Sequence, residues 1–152
     1  MCVSGREDRR SLKINAAGGQ VRILVVDDHE GFRQFVSSTL HERPNLEVIA
    51  EVQDGVQAVQ QAEALQPDLI LLDIGLPKLS GIFAARQIRQ LAPSAKIIFL
   101  TQESSADVVR EAFALGAWGY VAKVHAGKEL LAAVETVLQG KRFVSDGLDG
   151  RR

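Results

Sequence analysis

Cysteine is almost lacking in this chain of 152 residues. The one present, Cys2, excludes an intrachain disulfide and offers no thiolate set for zinc, a usage that fits a reducing, intracellular setting. Long apolar runs are lacking as well. No segment approaches the roughly 20 apolar residues that cross a bilayer, and the N-terminus has no apolar core of the secretory kind, so a cytoplasmic protein without membrane attachment is expected. Low-complexity tracts and internal repeats are missing, and so is a strong charge of one sign, since 18 basic side chains stand against 19 acidic ones. Residues 1–20 and 141–152 each carry four basic and two acidic groups, leaving ten against fifteen between them. Tails of that charge attract nucleic acid only weakly, and both read as solvated ends. The expected layout is a flexible tail over 1–19, a single domain over 20–142, and a C-terminal tail or linker over 143–152.

What is present is one alternation repeated five times. Val21–Asp27 is short and rich in β-branched residues, as a strand requires. Gly31–Leu40 follows, with Phe32, Phe35, Val36 and Leu40 at the spacing of a helix with one buried face. Leu46–Val52 reads as a second strand, and Asp54 as the N-cap of a helix showing Val56, Val59, Ala62 and Leu65 on one side. Leu69 to Asp73 is a buried strand that runs into the loop Ile-Gly-Leu-Pro-Lys-Leu-Ser-Gly. Ile82–Leu91 and Ala106–Leu115 read as helices, Lys96–Thr101 and Gly119–Lys123 as strands, and Lys128–Leu138 as the last helix. Strands that alternate with helices and are largely apolar imply an α/β fold, a doubly wound parallel sheet of five strands with helices on both faces.

Chemistry in such a sheet collects at the carboxyl ends of the strands. Asp27 and Asp28 stand after the first strand, Asp73 at the end of the third, Thr101 at the end of the fourth, and Lys123 at the end of the fifth. Singly, each has a plain explanation in capping, turns or solvation. Together they put three carboxylates, a hydroxyl and an ammonium on one edge. Carboxylates so crowded need positive charge nearby. Lys123 supplies one unit, and a hard divalent cation such as Mg²⁺ would supply two, leaving a pocket suited to a phosphoryl group. A dinucleotide site is excluded because the turn after the first strand, Asp27-Asp28-His29-Glu30-Gly31, is acidic where glycines would have to hold pyrophosphate. The Walker pattern is lacking too.

These residues resemble the receiver domains of bacterial two-component response regulators over nearly all of 21–140. The resemblance rests on Asp27-Asp28, on Asp73 followed by Leu76-Pro77 and Gly81, on Thr101, and on Gly116-Ala117-Trp118-Gly119-Tyr120-Val121-Ala122-Lys123. The Gly-Ala-x-Gly-Tyr segment and the Gly127-Lys128-Glu129-Leu130 opening of the last helix are most similar to receivers of the NarL/LuxR-type helix-turn-helix subgroup. The resemblance implies a flavodoxin-like strand order of 2-1-3-4-5 and a signalling switch rather than a turnover enzyme. In it Asp73 is the phosphoacceptor, and Asp28, Asp73 and the Gly75 carbonyl hold Mg²⁺, with Asp27 acting largely through water. Lys123 and Thr101 bind the phosphoryl oxygens, and Tyr120 turns inward after Thr101 moves. A sensor histidine kinase or phosphotransfer protein would be the donor, a homodimer a further association, and DNA would be reached only through an effector domain. The changing face would be helix 106–115, strand 119–123 and helix 128–138, where Phe113 and Trp118 either form a sticky spot or cover the sheet end.

Four positions depart from the receiver pattern. Val124 stands where proline with a cis bond is common, so a trans bond is expected. Gln102 replaces a small residue and narrows the approach to Asp73, Glu103 adds an acid near the same mouth, and Gly75 brings no side chain to guide or block water. Three further readings compete: a stand-alone single-domain regulator, a degenerate receiver that only binds protein, and a phosphohydrolase. The last wants a second acid two residues after the nucleophile, where Gly75 stands.

Overall fold

The computed structural model describes residues 20–102 and 106–145. The tail over 1–19 with Cys2, Glu103 and the last seven residues lie outside the described residues. Strands β1 (Val21–Val26), β2 (Leu46–Val52), β3 (Leu69–Asp73), β4 (Lys96–Thr101) and β5 (Gly119–Ala122) alternate with helices α1 (Glu30–Leu40), α2 (Gly55–Leu65), α3 (Gly81–Leu91), α4 (Ala106–Ala114) and α5 (Ala126–Leu138). A two-residue strand, β6 (Phe143–Val144), follows. All pairings are parallel, in the order β2-β1-β3-β4-β5-β6. The expected order of the first five strands therefore holds, and the sheet gains a sixth strand from what reads in sequence as tail.

Side chains along the strands alternate between two cores, as the two-residue period of a strand requires. Leu24, Val26, Ile70, Leu72, Ile97, Phe99 and Tyr120 face α2, α3 and α4, while Ile23, Val25, Leu69, Leu71, Ile98, Leu100 and Val121 face α1 and α5. Because both faces are covered, β3 carries no polar residue before Asp73 and β4 none between Lys96 and Thr101, whereas the edge strand β2 exposes Glu47 and Glu51. Each buried Leu, Ile or Val contributes about 1.5 to 3 kcal/mol relative to exposure, so these two layers fix the sheet firmly.

The second helix keeps Ala62 buried and Val59 packed on the core as expected, but departs from its expected face at Val56. Asp54 caps it as expected, its side chain accepting the Gln57 N–H at 2.8 Å. The buried residues, however, are Gly55, Ala58 and Ala62, and Val56 is exposed. The cause is close approach: a Cβ at Gly55 would stand 1.9 Å from the Leu79 carbonyl oxygen, so only small residues fit that face. Phe35 is likewise partly exposed, whereas Val36 and Leu40 carry the core face of α1. Among the described residues there is no cis peptide bond, so Lys123–Val124 is trans as expected. The chain after Lys123 makes a 3₁₀ turn over Lys123–His125 that leads into α5, with Val124 exposed. No described helix is long and apolar enough to cross a membrane.

Candidate phosphoacceptor and metal site

Strand register brings the strand-end residues together. Val26 pairs with Leu72, Asp73 with Leu100, and Thr101 with Ala122, so Asp27, Asp73, Thr101 and Lys123 leave four neighbouring strands at one level. The buried backbone ladder extends into the turns: Asp27 N–H donates to the Val52 carbonyl and Ile74 N–H to the Leu100 carbonyl. Ends held this way cannot fray.

Asp27 is fully buried and Asp73 nearly so, at 0% and 4% exposure. The Lys123 ammonium lies 2.7 Å from Asp27 Oδ2 and 3.3 Å from Asp73 Oδ2, bridging the two carboxylates. Its other flank is the Phe32 ring, with Nζ 4.7 Å from the centroid, a position that favours a cation electrostatically. Asp27 Oδ1 accepts the His29 N–H at 2.8 Å, and Asp73 Oδ1 accepts the Gly75 N–H at 3.1 Å, so each acid also closes a tight local turn. Burial pushes the Asp73 carboxyl above the usual carboxylate range. The Lys123 charge opposes that shift, the Asp27 charge adds to it, and the Gly75 N–H opposes it.

Asp28 stays more open and lies beside His29, whose Nδ1 is 3.2 Å from Asp28 Oδ1 and 3.4 Å from Asp27 Oδ1. One donor atom from each of Asp27, Asp28, His29 and Asp73 lies within 4.8 Å of the others. Three carboxylates against one ammonium leave two unbalanced negative charges, and the donors are mostly hard oxygens. That set fits a small hard divalent cation such as Mg²⁺. Thr101 is buried at the end of β4, and Gly75 is exposed in the loop, where an added Cβ would meet nothing within 4 Å. Gln102 is exposed. Tyr120 is fully buried, its ring 6.4 Å from both Phe99 and Phe113.

The loop after Asp73 is shaped by close packing. A Cβ at Gly81 would lie 2.2 Å from the Asp73 carbonyl oxygen, and Gly81 N–H donates to the Ile74 carbonyl at 2.8 Å. Glycine here thus lets α3 begin directly against the backbone of Asp73. Lys78, at φ 68°, reaches back to Asp54 at 3.5 Å. Sequence reasoning missed Phe32 and His29. The run Asp27-Asp28-His29 carries a signal for the histidine, but nothing local links Phe32 to a lysine 91 positions later. Phe113 and Trp118 are half-buried, and the Arg142 guanidinium lies 5.7 and 5.5 Å from their ring centroids, so the pair is roofed by a cation.

Comparison with known proteins agrees with this geometry. The transcriptional regulatory protein DegU of Brevibacillus brevis is 35% identical over 125 residues, which cover 82% of this chain and 53% of that protein. The crystal structure of a LuxR-family two-component response regulator from Aurantimonas superposes with a TM-score of 0.81 at 35% identity, covering 86% of this chain and 93% of that one. The signal receiver domain of NarL from Mycobacterium tuberculosis follows with a TM-score of 0.76 at 28% identity, covering 81% and 99%. The chain spans about half the length of the curated relatives it matches. Residues 23–135 match the response regulator receiver domain as a family. With the sheet order, the strand-end acids and these likenesses in agreement, the chain belongs to the response regulator receiver domain family, in its NarL/LuxR branch.

Proposed function

We propose that this receiver is a phosphoacceptor switch that takes a phosphoryl group on Asp73 with Mg²⁺ bound. The observation that carries the reading is the Lys123 ammonium set between two buried carboxylates, within 3.3 Å of both, with Asp28 alongside. Burial disfavours the ionised Asp73, which makes its carboxylate more basic and so a better nucleophile toward phosphorus. Its oxygen attacks phosphorus, the bond from phosphorus to the donor breaks, and the donor's imidazole or carboxylate leaves with the electron pair.

Asp28, Asp73 and the Gly75 carbonyl would hold the ion, with Asp27 acting through water. Bound there, Mg²⁺ supplies positive charge to the equatorial phosphoryl oxygens as they spread charge in transfer. Lys123 moves one carboxylate contact from Asp73 to the incoming phosphoryl oxygen while Asp27 keeps hold of it. Thr101 donates its hydroxyl to a second oxygen. The added negative charge biases a two-state surface made by α4, β5 and α5, with Tyr120 as its buried pivot. The donor is a sensor histidine kinase or a phosphotransfer protein in the cytoplasm, and the protein is a signal acceptor rather than a turnover enzyme. Relatives named as transcriptional regulators support an output on DNA through an effector segment other than residues 20–145; a homodimer is the association proposed for it.

Intact-mass measurement after incubation with acetyl phosphate and Mg²⁺ tests this. One phosphoryl group on the wild type, none without Mg²⁺ and none on Asp73→Asn is the expected result. An unlabelled wild type, or equal labelling of Asp73→Asn, overturns the proposal.

A further inference from the structure

Residues 141–145 form a strap along the outer edge of β5. Phe143 and Val144 run parallel to Gly119 and Tyr120. Phe143 N–H donates to the Trp118 carbonyl at 3.0 Å, and Ser145 N–H to the Tyr120 carbonyl at 2.8 Å. Before the strand, Arg142 Nη1 donates to the Ala117 carbonyl at 3.1 Å while its guanidinium covers the Phe113 and Trp118 rings. After it, the Ser145 hydroxyl, on a residue only 1% exposed, accepts the Ala122 N–H at 2.9 Å and donates to the Glu129 carboxylate on α5.

Those partners are not scattered over the surface. Apart from Glu129 and the Thr136 carbonyl, which accepts the Lys141 N–H at 3.1 Å, the hydrogen-bonded anchors are backbone groups between residues 117 and 122, the segment that ends one residue before Lys123. Because β6 is parallel to β5, its far end arrives at the same carboxyl edge as Asp73. Val144 also packs against the apolar cluster that contains Tyr120 and Phe113, so the strap helps to bury the Tyr120 ring. A strap that only shielded the sheet edge would need the strand pairing alone. The buried hydroxyl on the Ala122 amide instead ties it to the backbone directly before Lys123.

We propose that residues 141–145 are a strap coupled to the phosphoacceptor: docked on β5 they favour the buried position of Tyr120, and loading Asp73 in turn tightens the strap. The inference rests on the phosphoacceptor reading above and extends it to residues 141–145, which are thereby held more firmly in the loaded state. Coupling between two sites is reciprocal, so the factor by which loading strengthens docking is the factor by which docking strengthens loading.

Amide hydrogen exchange measured by NMR on the full chain, with Mg²⁺ and with or without beryllofluoride as a phosphoryl mimic, reads this out. Exchange at the Phe143, Ser145 and Ala122 amides is expected to slow on the order of fivefold when the mimic binds. Ser145→Ala is expected to lose that slowing and to bind beryllofluoride more weakly by a similar factor, and Arg142→Ala to shift both quantities the same way. Saturating beryllofluoride with unchanged exchange at 143 and 145 overturns the strap coupling while leaving Asp73 as phosphoacceptor. No beryllofluoride binding together with no acyl phosphate from acetyl phosphate overturns both.

Discussion

The strand bodies and the strand ends share one parallel backbone but are built for opposite purposes. Along the bodies, residues such as Leu24, Ile70, Leu71 and Ile98 are wholly buried and apolar, and every one adds stability. Just beyond them, Asp27 and Asp73 are as deeply buried but charged, held by Lys123, itself against the Phe32 ring, and by turn N–H groups. Burying charge costs more than such contacts return unless pairing is complete. The difference teaches that the rigid bodies supply the stability that lets the strand ends hold buried charge at a cost.

Truncation in a body should give the largest change. Leu71→Ala is expected to lose about 3 kcal/mol in denaturant unfolding, and a loss below about 1 kcal/mol would deny that the bodies hold the fold. Next comes the missing positive charge at the ends. Mg²⁺ at a hundred times its dissociation constant should add about 2.7 kcal/mol, and Asp28→Asn should remove most of that gain, both followed by thermal unfolding with and without chelator. Where body and end meet, Gly81→Val would push a Cβ into the Asp73 carbonyl. A loss of about 2 kcal/mol with slower acetyl phosphate labelling is expected, and unfolding midpoint with mass spectrometry checks both.

The smallest effect has the opposite sign. Asp73→Asn should stabilise the protein by about 1 kcal/mol at neutral pH without Mg²⁺, because it removes a buried charge while Lys123 keeps Asp27. Since folding raises the Asp73 pKa, the unfolded chain releases that proton first as pH rises, so wild-type stability falls from the unfolded carboxyl value of 3.8 up to the raised folded one. The advantage of Asp73→Asn should therefore be small in acid and grow toward neutrality. Stability curves for both proteins across that range would show it, and a constant gap would argue against a raised carboxyl.

Much of this was legible in sequence for a physical reason. Strands buried on both faces are apolar throughout, so β1, β3 and β4 stand out, and a carboxylate or ammonium ending such a run is conspicuous. Where close approach or long-range bonding decides, the pattern is silent. Val56 has the right spacing for a core face, yet Gly55 against Leu79 turns α2 so that alanines go inside. Phe143 and Val144 are too few to show a period, and their pairing depends on Arg142, Ser145 and backbone groups of β5. The fit of Phe32 to Lys123 and the roof of Arg142 over Phe113 and Trp118 join residues far apart in sequence, and only the folded chain reveals them.

Position, rather than mass alone, tests the central claim most directly. After labelling with acetyl phosphate and Mg²⁺, the acyl phosphate can be reduced with borohydride and the chain mapped by peptide mass spectrometry. The account predicts conversion at Asp73 alone, lost with chelator. Conversion at Asp27 or Asp28, or none at any of the three, would contradict it.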